Sequence, residues 1–210
     1  MKSFSATEAI KFGWGVAKSR WQLFLTLGCL NVVLSLVPYL PDWIFGEATT
    51  QADIAYLVIF IPLVVVNLII SVGMMKIPIM LVDGKDAKFS DVWVTNWKLL
   101  VKFLFGTALS GLIVLGGLIL LIIPGIIFAM KLMFVPYFII DKNLGAVDAI
   151  KASWKATKGN LMELFLLGAL CMLVVIVGAL ALLIGLVWAI PTTIIASAYA
   201  YRKLSVSSQA

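Results

Sequence analysis

Six apolar windows, at about 21–40, 54–82, 99–123, 124–140, 161–187 and 188–201, occupy most of the chain and limit what it can fold into. A helix needs ~20 largely apolar residues to cross the hydrocarbon core of a bilayer. Most of the windows meet that length with little or no charge inside. Apolar residues make up 63% of the 210 positions and charged ones 12%, so a soluble fold would lack the polar atoms to cover its surface. The pattern predicts an all-α, polytopic membrane protein with six transmembrane helices, a single integral membrane domain over 1–210. Pro62 and Pro78 fall in the long second window, where they predict a tilt or kink. The third and fourth windows meet at Ile122-Ile123-Pro124-Gly125 and the fifth and sixth near Trp188 to Pro191, which predicts two tight hairpins. The polar, tryptophan-bearing start, with no small-residue cleavage site after the first apolar run, reads as an uncleaved first span rather than a signal peptide.

Orientation follows from the basic residues, which are retained on the cytoplasmic side. Lys2, Lys11, Lys18 and Arg20 precede the first span, and Lys76, Lys85, Lys88, Lys98 and Lys102 flank the second connection. Lys142, Lys151, Lys155 and Lys158 flank the fourth, and Arg202 and Lys203 follow the last. With an even number of spans all of these lie on one side. Asp42, Glu47 and Asp53 lie in a first outer loop without Lys or Arg. Both termini are therefore expected in the cytoplasm, with the chain in the cytoplasmic (inner) membrane. The net charge of +6 then describes a basic inner face suited to anionic lipid headgroups rather than to nucleic acid.

Residues 5–28 and 145–168 align without a gap at an offset of 140, pairing Ala6/Ala146, Glu8/Asp148, Ala9/Ala149, Ile10/Ile150, Lys11/Lys151, Trp14/Trp154, Lys18/Lys158 and Gly28/Gly168. A fainter copy begins at Asp91 and reaches Trp97. Proline followed five residues on by aspartate occurs at Pro78 to Asp83 and at Pro136 to Asp141, each ahead of a tryptophan segment. These landmarks predict three units, about 3–82, 86–141 and 143–204 with a tail at 205–210, each an amphipathic interfacial helix followed by a two-span hairpin. Ser5-Ala6-Thr7-Glu8 matches a capping box. Beyond it Ile10, Trp14, Ala17 and Trp21 share one stripe, with Lys11 and Lys18 on an adjoining face. Such a helix belongs in the headgroup layer. Lys11, Trp14, Lys18, Trp97, Lys151, Trp154 and Lys158 are thus the expected lipid headgroup contacts, and depth anchoring is the simpler role for the same residues.

Lys131 is the basic residue that lies apart, about ten residues before Asp141, or ~15 Å along a helix, inside the fourth window. Charges at that depth are costly and suspected of function, snorkelling being the alternative. Asn31, Asn67 and Glu163 are its candidate polar neighbours. No carboxylate lies well inside a span, so a proton relay has little support. The chain has no histidine, and Cys29 and Cys171 sit in apolar stretches where a thiol behaves as a small hydrophobe. No phosphate-cradling glycine loop, nucleophile-and-base pair or metal-ligand cluster is present, so neither catalysis, a metal nor a cofactor is expected. Gly106 to Ser110, Gly116-Gly117 and Ala181 to Gly185 are spacings that permit close helix approach. The expected function is a non-enzymatic membrane protein that contacts or organises anionic lipids or partner membrane proteins at the cytoplasmic face. The alternative is a small-solute or lipid transporter, a flippase, with Lys131 lining a mid-membrane polar cavity.

The stretch Pro124-Gly125-Ile126-Ile127-Phe128-Ala129-Met130-Lys131, through Val135-Pro136-Tyr137 and Asp141 to Ala149-Ile150-Lys151-Ala152-Ser153-Trp154 and Gly159-Asn160, resembles a bacterial and archaeal six-span family. That family is related to the membrane domain of glycerophosphodiester phosphodiesterases. The closing Tyr201-Arg202-Lys203-Leu204 is similar to its tail. The resemblance implies six spans and membrane residence. In the enzymes, catalysis belongs to a separate soluble domain with acidic and histidine residues, which finds no counterpart here.

Overall fold

The computed structural model describes residues 4–39, 50–94, 96–181 and 185–207, without the side chains of 38, 50–57, 61 and 207. Asp42 and Glu47 of the expected outer loop, the side chain of Asp53 and residues 208–210 lie outside the described part.

Among the described residues every regular element is helical: α1 (Ala6–Ser19), α2 (Trp21–Leu36), α3 (Thr50–Val82), α4 (Trp97–Leu120), α5 (Ile122–Leu132), α6 (Val135–Lys142), α7 (Ala146–Thr157), α8 (Leu161–Leu180) and α9 (Leu186–Ser207). Short 3-10 turns follow α2 at Val37–Tyr39 and precede α4 at Phe89–Val92. Among the described residues four stretches are long and apolar enough to cross a membrane: Val58–Val82 of α3, all of α4, α5 and α6 taken together (Ile122–Lys142), and α8. The 16 residues of α2 span only ~24 Å, and α9 is diluted by threonine, serine and Arg202.

Glycine makes both hairpins possible. Between α4 and α5 only Leu121 is extended, and a Cβ on Gly117 would stand 3.0 Å from the Cα of Gly125. A Cβ on Gly178 would likewise meet the backbone of Gly185 at 3.1 Å, so α8 and α9 close tightly. The chain leaves α8 at Ala181 and enters α9 at Leu186, earlier than the turn expected at Trp188 to Pro191. Pro191 is buried inside α9 and does not mark its start. Pro62 and Pro78 likewise sit within one continuous α3. The fourth window, by contrast, is broken at Met133–Phe134. Pro136 is accommodated in the first turn of α6, where its missing amide hydrogen leaves no bond unmade. Asn143 ends α6 in the left-handed conformation, φ 53°, and its main-chain and side-chain oxygens accept from Lys102 Nζ at 2.8 and 3.0 Å.

Aromatic side chains join α6 to α9. Tyr201, fully buried, stacks on Tyr137 at 5.3 Å between centroids and meets Phe138 edge-on at 5.0 Å. Around it α1 lies against α8 and α9, and α7 lies against α4, α5 and α6. The face each of these two helices buries is its row of small residues, Ala6, Ala9, Gly13 and Ala17 on α1 and Ala149, Ser153, Ala156 and Thr157 on α7. Small side chains let helix backbones approach, so this row is buried and Trp14 and Trp154 are left outward. The expected capping box at Ser5 is not formed. Ser5 Oγ bonds Thr7 Oγ1 at 2.9 Å, and the Glu8 carboxylate accepts from the Tyr199 hydroxyl at 2.6 Å. The first amide of α1, that of Ala6, is met instead by Glu163 Oε2 at 3.3 Å. A carboxylate brought from α8 by the fold serves the helix N-terminus in place of the local one.

Candidate functional site

Two landmarks of the sequence converge on one arginine. Asp83 and Asp141 are the aspartates five residues after Pro78 and Pro136, at the ends of α3 and α6, and both grip Arg202 of α9. Arg202 Nε and Nη2 donate to the two Asp83 oxygens at 2.6 Å each. Nη1 and Nη2 donate to Asp141 at 2.6 and 2.9 Å. The fork of the guanidinium thus serves two carboxylates at once. The neighbouring Tyr201 hydroxyl adds a bond to Asp141 Oδ2 at 2.7 Å. Side chains in the cluster are 16–25% exposed. Burial alone would lower the pKa of Arg202, but the hydrogen bonds of Asp83 and Asp141 outweigh it and hold the guanidinium above its ordinary range. The proline-to-aspartate spacing marks both aspartates and the tail motif marks Tyr201-Arg202, but nothing in their spacing shows that three helix ends meet.

Ten residues before each member of this cluster the helix is touched by a segment from elsewhere in the chain. A Cβ on Gly73 would lie 2.2 Å from the carbonyl oxygen of Val92. The carbonyl of Lys131 accepts from Ser153 Oγ at 2.6 Å. The carbonyl of Thr192 would stand 2.4 Å from a Cβ on Gly13. Gly13 and Ser153 are themselves equivalent positions at the offset of 140.

The outer faces of α1 and α7 carry the expected interfacial residues. Trp14 is 50% exposed and Trp154 38%, and Lys11, Lys18, Lys151 and Lys158 are exposed beside them. Trp97, 61% exposed, opens α4 next to exposed Lys98. Trp14, Lys18 and Trp21 also line a cavity of about 510 Å³ with Trp188 of α9.

Lys131 and Trp154, expected in different roles, are brought together. Lys131 is half-buried and its Nζ lies 3.8 Å from the centroid of the Trp154 ring, which Phe128 also contacts at 5.8 Å. The other residues expected near Lys131 are engaged elsewhere. Asn67 donates to Leu63 O of its own helix at 2.9 Å, and Asn31 lines an apolar groove of about 520 Å³ with Phe24, Met74 and Pro191. Glu163 is at the start of α1. A cavity of about 380 Å³ beside α5 is lined by Ser110, Val114, Leu118, Ala129, Leu132 and Met133 among others, and not by Lys131. No group of three or more potential metal ligands occurs among the described residues.

A family model described as a domain of unknown function, DUF7847, matches residues 50–209. Uncharacterised proteins of Mycobacterium bovis and Mycobacterium tuberculosis (strain CDC 1551) are 28% identical over 157 residues, 75% of this chain and 48% of each of theirs. A protein of Pectobacterium carotovorum named as a UPF0259 membrane protein is 30% identical over 95 residues, 45% of this chain and 38% of its own. The chain spans about half the length of the mycobacterial relatives it matches. No solved structure matches.

Proposed function

The chain belongs to the DUF7847 family, and from that premise we propose that it is a non-enzymatic membrane protein whose cytoplasmic face binds and organises anionic lipids. Its four long apolar helices and its similarity to a membrane protein agree on the medium. The observation that carries the reading is the way α1 and α7 are turned. Both bury small residues against the helices behind them and leave outward a half-exposed tryptophan with lysines one turn to either side. Tryptophan prefers the headgroup layer, and lysines beside it meet lipid phosphates.

The same reading takes six spans, α2 and α9 completing the four longer ones, arranged as three units with both termini inside the cell in the inner membrane. Three contacts, each ten residues before a member of the Arg202 cluster and two of them made by the equivalent residues Gly13 and Ser153, support the units, as do the three helix ends meeting at Arg202. The resemblance of residues 124–160 to the membrane domain of glycerophosphodiester phosphodiesterases supports the same residence, and the proposal gives this chain no hydrolytic role. Transport through a polar cavity at Lys131 is not favoured, since Trp154 covers the ammonium and the cavity beside α5 is apolar.

Native mass spectrometry of the full chain, titrated with phosphatidylglycerol or phosphatidylcholine, tests the reading. Replacing Lys11, Lys18, Lys151 and Lys158 together by glutamine is expected to remove most of the retained phosphatidylglycerol and leave phosphatidylcholine unchanged. Equal retention of both lipids by the unaltered chain would overturn the proposal and point to a membrane-protein partner for that face.

A further inference from the structure

The side chain of Lys131 is not required by the contact its backbone makes. At the corresponding point of the chain, ten residues before the clasp, α3 has Gly73 and α9 has Thr192, and both touch their neighbouring segment through backbone or space close to it. Lys131 does so through its carbonyl, to Ser153. A glycine or threonine would therefore serve the packing, yet this position holds a cation within a stretch otherwise long and apolar enough to cross the bilayer. No carboxylate among the described residues pairs with it. Its one described side-chain contact is the face of Trp154 at 3.8 Å. On either side of Trp154 stand Lys151, one turn earlier on α7, and Lys158, the residue that follows the end of α7, both exposed. One ammonium thus lies on a partly exposed indole whose neighbours along the chain are two exposed lysines, with exposed Ile126 on the same helix as Lys131.

An arrangement of this kind lacks one component, an anion that reaches it from the membrane side. We propose that Lys131, Lys151 and Lys158, gathered about Trp154, bind the phosphate of one anionic phospholipid of the cytoplasmic leaflet. The proposal rests on the lipid-binding reading above and narrows it to one headgroup site. Lys131 reaches the phosphate from below the headgroup layer, Lys151 and Lys158 from within it, and the indole supplies a flat wall beneath the glycerol. A free phosphate ion would satisfy the same charges, but Lys131 belongs to a membrane-crossing stretch, which favours a ligand already anchored in the bilayer.

The test uses the full chain in detergent, with native mass spectrometry resolving successive binding of phosphatidylglycerol and phosphatidylcholine. The chain and K131R are expected to hold one phosphatidylglycerol about tenfold more tightly than phosphatidylcholine, and K131M to lose that preference. The K151Q/K158Q variant, altered only at exposed positions, is expected to weaken the same single event and serves if K131M fails to fold. K11Q/K18Q is expected to lower the total number of lipids retained while leaving the tightest one in place. Wild-type affinity in K131M and K151Q/K158Q would overturn the site. If K11Q/K18Q still lost lipid, the broader reading would survive that result, and if no variant changed retention both would fall. Displacement of the tight lipid by millimolar inorganic phosphate would overturn the choice of a lipid as ligand.

Discussion

Arg202 ties the end of α9 to the ends of α3 and α6. It bridges two carboxylates that would otherwise face each other at the ends of α3 and α6, through four hydrogen bonds in fork geometry. Arg202→Met would leave Asp83 and Asp141 without a counter-charge in a cluster only a quarter exposed, which is expected to cost about 2–3 kcal/mol. A lowered thermal unfolding midpoint in detergent would register it. Arg202→Lys should recover little, since an ammonium cannot bridge two carboxylates bidentately. Adding Asp83→Asn and Asp141→Asn to Arg202→Met should recover more, because the stranded charges are then gone. An unchanged midpoint in Arg202→Met would contradict the cluster.

At the scale of the element, α1 and α7 show how two faces of one helix compete for burial. The tryptophan stripe and the row of small residues were both present in the sequence. The row is buried because only small side chains allow the approach that Gly13 makes to Thr192. Adding one methyl group in Gly13→Ala is expected to destabilise the protein by about 1–3 kcal/mol, since the atom it meets is backbone and cannot turn aside. Gly15→Ala, two residues on, has no heavy atom within 4 Å of the new Cβ and should be neutral or stabilising by up to ~1 kcal/mol. Thermal unfolding of the pair in one detergent compares them directly. The capping box was legible and misleading for the same reason of competition. Glu8 sits at the right spacing for a local cap, yet a tyrosine 191 residues away claims it, and Glu163 from α8 takes its place.

For the molecule as a whole, the three-unit, six-span reading makes a topological prediction. In a background with Cys29 and Cys171 replaced by alanine, a cysteine introduced at Glu47 should react with a membrane-impermeant maleimide added to whole cells. One at Val206 should react only after the membrane is opened. Labelling of both from outside would contradict the reading. Much of the architecture was legible in advance, because hydrocarbon dictates it: helices long and apolar enough to cross, and a tight hairpin at Ile122 to Gly125. These are local consequences of composition, periodicity and residue size, and the amino-acid sequence by itself determined them. Which face of α1 is buried, which carboxylate meets its first amide, and that Lys131 lies on Trp154 were decided by the tertiary structure alone. So was the meeting of Asp83 and Asp141 with an arginine 119 and 61 residues away. A side chain's partner depends on which helices the closed bundle sets side by side, and no spacing along the chain records that.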